Sequence, residues 1–377
     1  MISEGILAQG TDDRSVVIGN QLRKARELLG FSVDEVAALL EVSSEKVLAW
    51  EDERIEPRLA ELERLAELYG RDLDYFLHET PEAIVRYEFR SGTGRSFGQI
   101  SREARLAIGK FEELCRKAQE IEDFLRKKRV ISIPEIAQNE TPLELSARLR
   151  RILGIEERPV KEIKEEFIGM GIRVFELPVP AAEFAGLSSW DLRYGPRILV
   201  NARDLQGRRH FTLAHEFAHL ICRHGASVCD IPTEGRSNQS QDERFADLFA
   251  VEFLLPRDPF KNDVMRLGIS QTPTLQEVGK IAGKWRASVQ ATVYRLEDLG
   301  LIRPGHSREL LAKTQSERIR RRAAKTPSWE RRLGRDYVKN ALKVYQEGHI
   351  SLGKLASYLG LPLRKALEVM EKGVTRD

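Results

Sequence analysis

The sequence is poor in the residues that staple or anchor proteins. Its three cysteines, Cys115, Cys222 and Cys229, form no C-x-x-C pair and are odd in number, which argues against a disulfide framework. The first 17 residues hold no apolar stretch of signal-peptide length, and no run anywhere approaches a membrane span. The expectation is a cytoplasmic chain with no membrane partner. Net charge is only +3, so no single electrostatic preference describes the whole chain, although the charge is unevenly spread. Histidine is scarce, with seven in 377 residues, yet His210, His215, His219 and His224 fall in one segment. The length suggests two or three domains, and 41% apolar with 32% charged residues is the balance of an ordinary, rather charged soluble protein.

The histidine segment, Phe211-Thr-Leu-Ala-His-Glu-Phe-Ala-His-Leu-Ile221, carries His215, Glu216 and His219 as an H-E-x-x-H pattern in an apolar helical run. Residues four apart on a helix lie about 40° apart around its axis, so both imidazoles leave from one side. Two neutral imidazoles on one face, with a carboxylate beside them, are what a catalytic zinc site needs. The carboxylate, Glu216, serves as general base for the metal's water. The bland alternative is a buried helix whose histidines are merely hydrogen-bonded.

Residues 18–77 read as four or five short helices. Leu22, Ala25, Leu28 and Leu29 stripe the first, which Gly30 closes, and Ser32 with Glu35 forms a capping box for the second. A third helix begins at Ser44, and Pro57 opens a fourth. The residues Gly30-Phe-Ser32, Leu39-Leu-Glu-Val-Ser43, Trp50-Glu51 and Pro57 make this segment similar to the helix-turn-helix domains of phage-type (Xre-family) repressors. The resemblance implies that the third helix lies in the DNA major groove. It makes Ser43, Ser44 and Lys46 candidate DNA contacts, with Glu45 and Ala49 beside them. The segment is acidic, however: eight Lys and Arg against 14 Asp and Glu give −6 between 18 and 77. That is a poor basis for phosphate neutralisation, and a helical docking or dimerisation module is the other reading.

Gly92-Thr-Gly94 and Ser96-Phe-Gly98 mark a loop. Residues 101–129 then read as one long helix with Phe111, Leu114, Ala118, Ile121 and Leu125 inward, which packs on the following domain or pairs two chains as a homodimer. Arg126-Lys-Lys-Arg129 reads as the solvated end of that helix. Helices are expected from Thr141 and over 159–170, and strands at Ile172-Arg-Val-Phe-Glu-Leu177, Gly186-Leu-Ser-Ser-Trp190 and Arg197-Ile-Leu-Val200.

A zinc peptidase needs a third protein ligand. The metzincin pattern requires Gly and His three and six residues after the second histidine, where Cys222 and Gly225 stand, so that class is excluded. The better candidate is Glu243, in the helical run Asp242-Glu-Arg-Phe-Ala-Asp247. Asp247, one turn on, can accept the outer N–H of a ligand histidine and fix its tautomer. Asp230 and Glu234 are the fallback ligands. Cys222 is expected to be a packing thiol, with oxidant or metal sensing as its sharper alternative.

These motifs also carry a resemblance. Pro159-Val160, Gly171-Ile-Arg-Val, Ile198-Leu-Val-Asn201, the segment from Arg208 to His219, and the run from Glu243 to Pro256 look like the ImmA/IrrE metallopeptidases over about residues 141–303. The resemblance implies a zinc protease that cuts a helix-turn-helix repressor. It implies His215, His219 and Glu243 as zinc ligands and Glu216 as general base. Ala218 stands where the family usually has Gly, and Asp247 where Asn is usual. The expected fold is multidomain and mainly α: an all-α helix-turn-helix, an α+β zincin-like core with a small sheet, and a helical C-terminal region. The expected divisions are 15–80, a connector 81–140, the peptidase core 141–260, a helix-turn-helix-like module 261–305, and a basic helical region 306–377. His210, Arg208 and Tyr194 are candidate donors to a tetrahedral oxyanion.

The C-terminal third is basic. Residues 280–303 carry +3 and residues 318–343 carry ten Lys and Arg against Glu330 and Asp336, or +8, with Trp329 and Tyr337 interleaved. A further helix-turn-helix pattern follows from His349. The expected function is a zinc-dependent regulatory endopeptidase acting on a repressor or antitoxin. Its rivals are a DNA-binding regulator or antitoxin with the peptidase fold as sensor or scaffold, and a non-peptidase zinc hydrolase. On charge alone, deleting 304–377 should weaken duplex binding more than deleting 1–80, measured by filter binding over a salt series.

Overall fold

The computed structural model describes residues 15–77, 88–89, 100–180, 183–223, 227–229, 240–320 and 326–372. Two compact units emerge. The first holds α1 (Ser15–Leu28), α2 (Val33–Leu40), α3 (Ser44–Glu51), α4 (Leu59–Tyr69), α5 (Leu73–Leu77) and the N-terminal half of α6 (Arg102–Phe124). Ser32 accepts from the Glu35 amide while the Glu35 carboxylate accepts from the Ser32 amide, the reciprocal cap read from sequence. Glu41 adopts the left-handed conformation that ends α2 and turns the chain into α3, which Ser43 caps. Leu22, Ala25, Val36, Leu40, Val47, Trp50, Leu65 and Tyr69 fill the core. Arg26 clamps the buried Glu51 carboxylate through two bonds of 2.6 and 2.8 Å, fastening α1 to α3.

The second unit is built on a five-stranded sheet in the order β1-β5-β3-β4-β2. Three strands are substantial, β2 (Arg173–Leu177), β3 (Gly186–Asp191) and β4 (Gly195–Asn201); β1 (Glu88–Phe89) and β5 (Ser227–Cys229) are short. β3 and β4 form an antiparallel hairpin with Gly186 opposite Val200, and β2 runs parallel to β4. Helices α7 (Pro142–Ile152), α8 (Ile163–Gly169), α9 (Gln206–Cys222), α10 (Gln241–Leu254), α11 (Arg257–Arg266), α12 (Leu275–Trp285), α13 (Val289–Asp298) and α14 (His306–Arg320) share one apolar core. At its centre Phe167 of α8 stacks on Phe217 of α9 at 4.2 Å, with Phe249 and Phe253 of α10 against them. The multidomain, mainly α architecture with an α+β core and a helical C-terminal region is as the sequence implied. Among the described residues no helix is long and apolar enough to cross a membrane.

Several sequence expectations change. α6 ends at Phe124 rather than near 129, because Arg126 turns left-handed. Of the basic run after it, Arg126, Lys127 and Lys128 are exposed as expected, whereas Arg129 is half-buried: it donates to the Tyr194 carbonyl at 2.5 Å, and burial beside Arg173 pushes its pKa down to about 10. The C-terminal half of α6 does pack within the second unit, where Arg173 binds the Cys115 carbonyl and Glu122. The +3 of residues 280–303 is mostly spent internally. Lys284 pairs with Asp263, Arg286 with Glu162, Arg295 with Glu252 and Arg303 with Glu309. α13 turns one face, Thr292, Val293, Arg295 and Leu296, into the core. A Cβ on Gly207 of α9 would lie 2.4 Å from the Ala287 backbone, so the α12–α13 turn presses directly on α9.

The C-terminal region adds α15 (Trp329–Leu333), α16 (Arg335–Gln346), α17 (Leu352–Leu359) and α18 (Leu363–Lys372). The buried Lys164 ammonium donates to the Arg331 and Arg332 carbonyls and faces Glu176 of β2 at 3.5 Å, tying α15 to the sheet. Tyr337 is buried against Phe175 and donates to the Tyr358 carbonyl, so it is a packing residue rather than a platform for bases. Leu310 of α14 belongs to the apolar core of the second unit, so a truncation at 304 perturbs stability as well as charge; exposed substitutions separate the two.

His210 Nδ1 donates to the Arg286 carbonyl at 3.0 Å, and burial pushes its pKa down to about 4. Its folded pKa lies below the unfolded value near 6.5. The stability tied to neutral His210 is therefore present above about pH 6.5 and lost as the pH falls towards 4. Over that window urea midpoints should report roughly 3 kcal/mol more acid loss in the wild type than in His210→Asn.

Candidate metal centre

From Thr212 to Ile221 α9 has no solvent face, since every residue there is buried. It is therefore held by packing, through Leu213, Phe217, Leu220 and Ile221, rather than by propensity. His215 and His219 leave one side, as four-residue spacing requires, and their Nε2 atoms lie 3.0 Å apart. Glu243 of α10 closes a triangle, 3.2 Å from His215 Nε2 and 3.3 Å from His219 Nε2. These are the only grouping of three metal-ligating side chains among the described residues.

The triangle fits a small tetrahedral cation. Ligand bonds of about 2.0–2.1 Å place neighbouring ligand atoms about 3.3 Å apart, close to the three separations found. The donor set, two imidazole nitrogens and a carboxylate, leaves a fourth position for water or substrate, the pattern of a catalytic rather than a structural centre. Asp247 Oδ1 lies 3.0 Å from His215 Nδ1. It accepts that N–H, so the lone pair on Nε2 points into the triangle. Burial alone would depress the His215 pKa, but the bonds to Asp247 and Glu243 outweigh it and push it up to about 10. Burial likewise opposes ionisation of Glu243, yet both histidines hold its carboxyl well below the usual carboxylate range. The centre is thus a concentrated anionic pair around imidazoles, built to hold positive charge, whether protons or a metal ion competing for the same lone pairs.

Both ends of α10 are fastened. Ser240 accepts from the Glu243 amide and starts the helix, so Glu243 sits in its first turn, where the dipole favours a carboxylate. At the other end the buried Arg150 donates to the Phe253 carbonyl at 2.6 Å, and Arg295 to the Leu255 carbonyl at 2.9 Å. These two arginines set the position of Glu243 from three turns away, and the sequence reading missed them. An arginine in an apolar stripe is the signal that was available for Arg150.

Glu216 is fully buried. A Cβ on Gly186 would come 3.1 Å from its Oε1 and 2.5 Å from Thr212 Cγ2, so glycine at the head of β3 lets that strand approach the carboxylate. Gly186 was read only as a strand residue. Of the proposed oxyanion donors, Arg208 pairs with Asp204, His210 is committed to the Arg286 carbonyl, and Tyr194 lies among the Arg173, Arg193 and Arg197 guanidiniums. Burial with Asp242 and Glu140 pushes the Cys222 thiol up to about 11, which fits a packing thiol and not a reactive thiolate. Asp230, Glu234 and His224 lie outside the described residues, as do Gly92, Gly94, Ser96 and Gly98.

In the first unit the three candidate DNA contacts are engaged internally. Ser43 caps the Lys46 amide, Ser44 Oγ donates to Asp34, and Lys46 pairs with Glu61 at 2.6 Å.

Residues 169–297 match the family model for the IrrE N-terminal-like domain, a peptidase family, and residues 17–75 match a model for a helix-turn-helix domain. The chain joins an IrrE-like peptidase domain to a helix-turn-helix domain. The peptidase match spans α9, α10 and the α12–α13 turn pressed against α9, and it supports a metallopeptidase-type enzyme. The helix-turn-helix match supports a role in DNA binding and transcription regulation. No curated protein matches the chain.

Removing the Asp247 carboxylate should loosen the centre without unfolding it. Asp247→Ala is expected to weaken metal binding about 10–100-fold, measured by competition against a chromogenic chelator.

Proposed function

We propose that the second unit is a zinc-dependent endopeptidase that cuts a helix-turn-helix repressor or antitoxin and so controls transcription. The observation that carries the reading is the closed triangle of His215, His219 and Glu243 with the buried Glu216 one residue along the same helix. His215, His219 and Glu243 would hold the zinc. A bound zinc ion would supply Lewis acidity to the scissile carbonyl and acidify the attacking water.

The protein's own groups do the rest. Glu216 takes a proton from the attacking water and returns it to the departing amine, a role suited to a carboxylate kept from bulk solvent. Asp247 holds His215 in one tautomer and orientation. The apolar packing around α9 keeps water out and strengthens each of these electrostatic contacts. The helix-turn-helix unit supplies targeting, to DNA through α3 or to a repressor of its own kind, and narrows the substrate far below that of a digestive protease.

The substrate is either a separate helix-turn-helix protein or the chain itself, cut in the stretch around residues 90–100. Zinc-loaded protein incubated with candidate repressors should give discrete fragments, and Glu216→Gln should bind zinc equally while cutting at least about 100-fold more slowly. A mass shift of the isolated chain on zinc addition, absent in Glu216→Gln, distinguishes cleavage in cis. Zinc binding with no Glu216-dependent cleavage of any partner would favour the sensor or scaffold reading instead.

A further inference from the structure

The C-terminal helices repeat the N-terminal helix-turn-helix in register. Adding 319 to each number carries Ser32 to Ser351, and both serines cap eight-residue helices, Val33–Leu40 and Leu352–Leu359. Glu41 then meets Gly360, and both residues are left-handed, with φ of 57° and 60°. α3 starts at Ser44 and α18 at Leu363, the same step along the chain. The inward positions agree as well. Val36, Ala37, Leu40 and Val47 are buried, and so are their equivalents Leu355, Ala356, Leu359 and Ala366. Preceding them, Arg335–Gln346 falls within the span of α1 at the same offset. Two capped helices with one left-handed residue between them fix a particular crossing of the second helix on the first, the geometry of the helix-turn-helix. Neither family match extends to these residues.

What differs between the two copies is the outward charge. In the first unit Asp34, Glu35, Glu41 and Glu45 stand against Lys46, a net of −3. The equivalent residues are Gly353, Lys354, Gly360, Arg364 and Lys365, a net of +3. Lys46 is held by Glu61, and Ser44 by Asp34. On α18 the Arg364 side chain is 93% exposed, with only a loose approach to Glu368 at 3.6 Å. Lys365 is exposed and makes no ion pair among the described residues. Leu363 and Leu367 are exposed beside them. Lys354 is drawn to Glu120 at 3.4 Å, and Glu371 is the remaining acidic residue on α18. Within the second unit α17 is the anchored member of the pair, through the bond from Lys117 to the Ser357 carbonyl. α18 is left with its first turns open.

We propose that α16, α17 and α18 form a second helix-turn-helix and that α18 contacts duplex DNA, with Arg364 and Lys365 facing the phosphates and base edges. The N-terminal turns of a recognition helix are the part that enters the major groove. These turns carry two exposed cations and two exposed apolar side chains able to meet thymine methyl groups. The +8 of residues 318–343 lies immediately before, with Arg335, Lys339 and Lys343 exposed on α16. The polyanion that this charge complements is the duplex. The proposal is independent of the zinc and peptidase reading.

The test uses the full-length chain and a labelled mixed-sequence duplex of about 30 base pairs, followed by fluorescence anisotropy over a salt series. The Arg364→Glu, Lys365→Glu double variant should bind at least tenfold more weakly. Its slope of log affinity against log salt should be shallower by about two. Both residues are exposed, so the circular dichroism spectrum and melting temperature should match the wild type; if they do not, Arg364→Gln with Lys365→Gln removes the charges more gently and should weaken binding in the same direction. Lys46→Glu in the first unit should change duplex binding less than the α18 variants do. A wild-type chain that fails to bind the duplex at low salt would overturn the proposal. So would α18 variants with unchanged affinity and slope, or a loss that follows Lys46 and not α18.

Discussion

The pairing of α9 with α10 is the constraint on which the second unit depends. One side of the contact is apolar, where Phe217 meets Phe249 and the stack continues through Phe167 and Phe253. The other side is polar, where His215 and His219 meet Glu243 and Asp247. Dispersion and water exclusion on the first side hold the charged groups of the second at about 3 Å, a spacing that their own hydration would otherwise resist. The same burial makes the site demanding. Ionisable groups on a helix without a solvent face are tolerable only when partners or a cation satisfy them. Here every ligand candidate has a named partner within hydrogen-bond range.

Arginine, more than any other residue, holds these elements together. Arg150 and Arg295 bind the Phe253 and Leu255 carbonyls at the C-terminal end of α10, Arg173 binds the Cys115 carbonyl of α6, and Arg105 in the first unit reaches the Gly30 carbonyl while lying over Phe31. A guanidinium can satisfy several carbonyls at once and stays charged in such places. Windowed charge counts therefore mislead. The excess of residues 280–303 is an internal fastening system, and Arg129 behaves likewise. Arg364 and Lys365 on α18 are exposed, so cations counted alike in the sequence have different meanings for a polyanionic partner.

The two helix-turn-helix copies show how one backbone pattern serves different surfaces. Serine caps, a left-handed turn residue and four small or aliphatic inward positions recur at one offset, because those positions set the crossing of the helices. The outward positions are free of that constraint and have taken opposite charge.

Much of the molecule was legible in the chain alone. The four-residue spacing of His215 and His219, the capping boxes at Ser32 and Thr141, and the strand runs at 173–177 and 197–201 are local patterns with local physical causes. Glu243 and Asp247 could be named because they too share a helix face. The sequence set Glu243 ahead of two fallback ligands, Asp230 and Glu234, that lie outside the described residues, and the tertiary structure brings Glu243 to within 3.3 Å of both imidazoles. The reason is physical. Spacing within a helix is fixed by the helix, but the meeting of two helices is fixed by side chains far along each, here Phe249, Phe253, Arg150 and Arg295. The same limit explains Gly186, whose missing side chain matters only once β3 lies against Glu216. It also explains the charges, since sequence counts them and only packing decides which of them reach solvent.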